Sequence, residues 1–314
     1  MKPSTKKIFQ FSIVLIILAL AVFYIVKNID DFKKVSLINP LWLLPLIFLF
    51  LLNYYFIGLQ TKVLLEPLGV KLKNLEAYML SIVTGFYNLI TPARGGMALR
   101  AVYLKKKHNF SYTNFFSSLA GMYIVSFFVG SLVGMISMYF IKRVYGFFNW
   151  LVFLVFLSLF IPLFGIIAFS PEFKETKYAF INKFIRVANG WNLIRRNKKV
   201  LITCIFVTFY SILSGTFSAM ISYYIFGIKI SFFQSLFLAA IGSISLLIQI
   251  TPAGLGINEA ISVFSASVIG ITPLQSMPVV ILNRVNQVIC LFGLGPWFSY
   301  KLLKKIENEK NLKK

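Results

Sequence analysis

Ionisable side chains stand at three apolar runs that ought to exclude them. Arg94 and Arg100 follow one such run; Glu259 follows another, and Arg284 stands at the start of a third. A guanidinium is a planar fork of donors that matches phosphate oxygens, so two arginines at membrane depth could clamp a phosphate. Charges at that depth are costly and usually face a protein interior, where they pair or bind. The same arginines would also serve as plain orientation signals at a cytoplasmic surface. Glu259 has three roles open to it: a buried salt bridge to Arg284, capture of a cationic headgroup, or a proton-titrating site if burial raises its pKa. Asn258, Asn283, Asn286 and Gln287 add polar groups nearby. Asn283 and Gln287 share a helical face, where they would line a site or satisfy loosened backbone.

A repeated break positions these residues. Thr91-Pro92-Ala93 and Thr251-Pro252-Ala253 each end an apolar run and lead into glycine, Gly96 in one copy and Gly254 and Gly256 in the other. Pro92 and Pro252 interrupt a helix, and a helix restarting after Gly96 or Gly256 would aim backbone N–H groups at an anion. Broken apolar segments in corresponding halves of a membrane protein point to a binding site at the interface of internal repeats.

The surrounding chain reads as membrane. Hydrophobic residues make up 58% of it and charged residues 13%, too few to cover a water-facing domain. Full spans are expected at 8–26, 41–60, 113–141, 147–169, 200–226 and 285–303. The first lacks a small-residue cleavage site after it and reads as a retained helix. Segments 75–90 and 232–250 run into the breaks and read as re-entrant hairpins, although the second is long enough to span. The expected fold is an all-α integral membrane protein with about six transmembrane helices and two re-entrant hairpins. Each half has the order span, span, hairpin, span, and three spans is an odd number. The halves, 1–143 and 144–314, are therefore expected to be inverted repeats. The basic connector 171–199 belongs to the second half, as a linker or as an amphipathic helix at the interface. Gly130 and Gly134 form a Gly-xxx-Gly pair, suited to close helix approach within the chain or between chains.

The net charge of +23 would suggest nucleic acid in a soluble protein. Here the bases cluster beside apolar spans, on the segments expected inside, so they read as a positive-inside signal and not as a nucleic-acid surface. That places both termini in the cytoplasm and the chain in the cell membrane. Cys204, Cys290 and the lone His108 have no metal-ligand spacing, and no cofactor motif occurs. The acids Asp30, Asp31, Glu66, Glu76, Glu172 and Glu175 are scattered and mostly beside lysines, which gives no catalytic pair.

The stretches Pro92-Ala-Arg94-Gly-Gly96-Met-Ala-Leu-Arg100 and Pro252-Ala-Gly254-Leu-Gly256-Ile-Asn258-Glu259-Ala resemble the paired motifs of the lysylphosphatidylglycerol synthase transmembrane region, also called the flippase-like domain family. The likeness extends over about residues 8–303. Arg284 fits an arginine found downstream of the second motif, and the matching region of the first half, around 121–125, has none. The resemblance implies a polytopic protein that moves, or helps move, anionic, aminoacylated or glycosylated lipids between leaflets. Arg94, Arg100, Asn258, Glu259, Arg284 and Gln287 would then face the headgroup. Full-length synthases carry a soluble aminoacyltransferase domain after further spans, and only a short tail follows position 303 here. A separate lipid-modifying enzyme would therefore be the partner that makes any aminoacylated lipid. The competing expectations are a non-transporting partner of such an enzyme, or an integral enzyme of lipid-linked glycosyl or phosphoryl transfer.

Overall fold

The computed structural model describes residues 37–91, 94–146, 148–248 and 254–312. The span expected at 8–26 and the break prolines Pro92 and Pro252 lie outside these residues. Every regular element among the described residues is helical. In chain order the α-helices are α1 (Leu43–Leu65), α2 (Asn74–Ile90), α3 (Gly95–His108), α4 (Tyr112–Tyr145), α5 (Trp150–Phe169), α6 (Ala179–Arg196), α7 (Lys198–Ile225), α8 (Phe232–Ile244), α9 (Ile257–Val268) and α10 (Pro273–Leu312).

Five of them are long and apolar enough to cross a membrane: α1 with its flanking turns, α4, α5, α7 and α10. Polar side chains at their starts fix where several begin. Ser111, Asn149 and Asn197 accept hydrogen bonds from the backbones of Asn114, Val152 and Val200, satisfying first-turn donors of α4, α5 and α7. The last span begins at Pro273 and not near 285. Thr272 and Gln275 cap each other's backbone N–H groups, and the proline takes the first helical position, where its missing donor costs nothing. Arg284 therefore lies inside this helix and does not open it.

The remaining helices include the legs of two hairpins. At the open end of the first, Glu76 near the start of α2 accepts from Lys107 at the end of α3, 3.0 Å away. At the open end of the second, Gln234 of α8 donates to the Ile269 carbonyl just after α9, at 3.1 Å. Helix α8 has 13 residues and ends in the 3-10 turn Ser245–Ile248. It is too short to cross a membrane, in keeping with a hairpin leg and not a full span.

Helices α1 and α7 run antiparallel. Asn39 Nδ2 donates to the Tyr224 carbonyl (2.9 Å), Asn53 Nδ2 to that of Ser211 (3.1 Å), and Gln60 Nε2 to Thr208 Oγ1 (2.9 Å). Position numbers rise on one helix as they fall on the other. The hairpin that follows α1 therefore opens at one end of the bundle, and the hairpin that follows α7 opens at the other. Packing is reciprocal: α2 lies against α10, and α8 lies against α4.

Small residues permit these contacts, as expected where lipid tails are as apolar as the side chains themselves. A Cβ on Gly130 would strike the Ser243 hydroxyl beside α8, and one on Gly134 would strike the Phe156 ring of α5. The Gly-xxx-Gly pair therefore serves packing inside the chain. The connector helix α6 docks its C-terminal half on α4 through buried Trp191 and Ile194, while Phe180 and Phe184 stay exposed.

Candidate functional site

Between the first hairpin and helices α1, α4, α7 and α8 lies a cavity of about 430 Å³. Arg100, on α3, lines it and is only 2% exposed. Its Nη2 donates to Thr61 Oγ1 at 2.7 Å, its Nε is buried without a partner, and no carboxylate among the described residues pairs with it. A buried guanidinium without a counter-anion carries a large desolvation cost, so the pocket is electrostatically suited to an anion. Neutral polar groups complete the wall. Gln60 donates to Ser126 and Thr208, Asn53 donates to Ser211, and Asn88 lines the cavity with its Oδ1 buried and without a partner.

Arg94 stands at the tip of the first hairpin with φ 57° and ψ 47°, a left-handed conformation that costs a non-glycine residue roughly 1–2 kcal/mol. Its guanidinium donates to the Tyr123 hydroxyl of α4 and to the Leu246 carbonyl at the tip of the second hairpin. It also lies 5.5 Å from the centre of the Tyr123 ring. The two hairpin tips thus meet through one side chain. Gly96 makes the close return of α3 possible, because a Cβ there would collide with the Thr84 carbonyl of α2. In the second hairpin Gly254 (φ 67°) and Gly256 (φ 79°) carry the turn, and a Cβ on Gly254 would strike the Asn258 amide.

A second cavity, of about 320 Å³, lies between the second hairpin, α7 and α10. It shares Gly215, Ala239, Gly242, Asn258 and Gln287 with the first, so the two adjoin at the hairpin tips. Here Glu259 and Arg284 meet. Arg284 Nε donates to Glu259 Oε1 at 2.7 Å, and Nη2 reaches the same oxygen. Arg284 Nη1 donates to Gln287 Oε1 at 2.8 Å. Glu259 Oε2 accepts the Gly256 N–H at 2.8 Å, so the N-terminus of α9, expected to be open to an anion, is held by its own carboxylate.

The six residues expected at the headgroup divide between the cavities. Arg94 and Arg100 line the first, Glu259 and Arg284 line the second, and Asn258 and Gln287 line both. Asn283 accepts from Ser222 at 2.8 Å and faces the second cavity, as does Asn286. Sequence reasoning passed over Tyr123, Asn88, Gln60 and Asn53. Their signal was an amide or hydroxyl inside an apolar run. Tyr123 stands as far into α4 as Arg284 does into α10. Each half therefore ties its hairpin tip to its long helix, Arg94 to Tyr123 in one and Glu259 to Arg284 in the other.

Two comparisons bear on identity. The lysylphosphatidylglycerol synthase TM region family matches this chain over residues 8–295. Among curated proteins no match is found.

Proposed function

From this match the chain belongs to the lysylphosphatidylglycerol synthase transmembrane-region family, and we propose that it transports lipid, passing a phosphate-bearing headgroup between leaflets through the two adjoining cavities. The observation that carries this reading is Arg100, a buried cation facing a cavity with no carboxylate partner among the described residues. The acyl tails would stay in the bilayer while the headgroup passes the hairpin tips. Antiparallel α1 and α7, hairpins opening at opposite ends and reciprocal packing support inverted repeats, which put a binding site at their interface.

The end of the bundle that carries Lys62, Lys71, Lys73, Lys105 to Lys107, Lys198 and Lys199 faces the cytoplasm in this reading. Lys2, Lys6 and Lys7 then put the N-terminus inside, and the C-terminus follows α10 to the same side of the cell membrane. The role assigned is transport and not catalysis, with a separate enzyme supplying any lipid modification. The test is leaflet exchange of a phospholipid in vesicles holding only this protein. Exchange well above protein-free vesicles, reduced at least about tenfold in Arg100→Gln, is expected. Equal rates in the two proteins would reject the reading.

A further inference from the structure

We infer that the Arg100 cavity selects a phosphodiester headgroup carrying hydroxyls, such as a glycerol or sugar phosphate, over one carrying an ammonium. The inference rests on the transport reading above and concerns which lipid fits. Two residues that line this cavity each hold a buried polar atom without a partner, and the two atoms are of opposite kinds. Arg100 Nε is a charged donor that needs an acceptor, and Asn88 Oδ1 is an acceptor that needs a donor. A phosphate oxygen answers the first and a hydroxyl answers the second. Both residues line the one cavity of about 430 Å³. The Asn88 oxygen is held over the hairpin return, 2.7 Å from where a Cβ on Gly96 would lie, so the bare glycine leaves room for this side chain.

The acids argue against an ammonium. The chain has 9 acidic residues, and none of those described lines this cavity. Glu76 is engaged by Tyr103, Lys107 and His108; Glu172 and Glu175 are engaged by Arg196 and Arg186. Glu259 faces the other cavity, where Arg284 and the Gly256 N–H hold both of its oxygens. A lysyl or alanyl ammonium in the first cavity would meet two guanidiniums, Arg94 and Arg100, and no carboxylate among the described residues. Like charges sharing a low-dielectric site disfavour binding.

The test uses the wild-type protein in phosphatidylcholine vesicles doped in turn with phosphatidylglycerol, phosphatidylethanol or lysylphosphatidylglycerol. Binding is read by lipid retention on the purified protein, and movement by leaflet exchange. Phosphatidylglycerol should bind about tenfold tighter than phosphatidylethanol, which lacks the hydroxyls, and tighter still than the lysyl lipid. Asn88→Ala should erase the first preference and leave the second. Glycerol phosphate in solution should compete weakly; competition equal to that of the lipid would assign the site to a soluble phosphate and reject a lipid ligand. Lysyl lipid bound as tightly as phosphatidylglycerol would overturn the selectivity while leaving transport standing, provided exchange is seen. Neither binding nor exchange of any of the three would overturn both.

Discussion

Arg94 and Gly254 each follow a Thr-Pro-Ala, and both adopt left-handed backbone, with φ 57° and 67°. The same left-handed position therefore occurs twice, once with the residue that favours it and once with an arginine. The arginine costs roughly 1–2 kcal/mol in backbone conformation, so its side chain must supply the reason for its presence, and that side chain joins Tyr123 to Leu246. Arg94→Gly should relieve the backbone while losing those contacts, leaving the melting temperature within a few degrees of wild type. Arg94→Ala loses the contacts and keeps the backbone cost, so it should melt lower than Arg94→Gly. Lipid exchange should fall in both. Melting of the purified variants decides: alanine at or above glycine would reject a left-handed position at 94.

Arg100 sets stability against function. Buried with no carboxylate partner among the described residues, it should destabilise the lipid-free protein, and removing an unpaired buried charge is often stabilising. Arg100→Met, of similar reach, should raise the melting temperature in lipid-depleted detergent and slow leaflet exchange about tenfold or more. Added phosphatidylglycerol should stabilise the wild type and leave the variant unchanged. A lipid-free variant that melts below wild type would show that Arg100 is satisfied by its surroundings.

Much of the scaffold was legible because membrane helices announce themselves by length. Spans expected at 41–60, 113–141, 147–169 and 200–226 correspond to helices that differ by a few residues at their ends. The start of the last span was misjudged because Asn283 and Arg284 interrupt its apolar run. The capping signal Thr272-Pro273-Leu274-Gln275 was present in the sequence and marks the true start. The Glu259–Arg284 pair was legible too, since few other partners exist for a lone acid in that stretch. Tyr123, Asn88 and Gln60 were not. Each is a neutral polar residue on a helix whose orientation is set by packing across the two halves, as with α2 on α10 and α8 on α4. Periodicity within one helix cannot report partners on other helices.

Glu76 ties the open end of the first hairpin, and its pH response follows from its surroundings. Burial alone would raise its pKa, but hydrogen bonds from His108, Tyr103 and Lys107 outweigh that and hold it down to about 2. A carboxylate with a depressed native pKa stabilises the fold above its ordinary value, and that contribution disappears as pH falls through the native value. Glu76→Gln should therefore melt below wild type at about pH 5, with the gap closing as the pH is lowered toward about 2. Melting curves of both proteins across this range provide the check. A gap that stays constant to the acid end would mean that the charge on Glu76 contributes nothing.

Glu259 and Arg284 should behave as one coupled unit. The pair is neither fully buried nor free in solvent, its side chains being 27% and 19% exposed. A coupling of about 1–3 kcal/mol is therefore expected, below the full cost of orphaning a deeply buried charge. Glu259→Gln removes the carboxylate that Arg284 meets and leaves Gln287 among its partners, and Arg284→Gln leaves Glu259 with the Gly256 N–H alone of the partners described above. The double variant loses both charges together and should cost less than the two single changes added. A double-mutant cycle run on melting and on leaflet exchange separates the roles. Strict additivity in both would show that the residues act apart. Coupling in melting with exchange intact would make the pair a strut that holds α9 against α10. Slow exchange in a stably folded Glu259→Gln protein would instead place the carboxylate on the headgroup's path. If wild-type exchange also varies with pH and the glutamine abolishes that variation, the carboxylate carries a proton during passage.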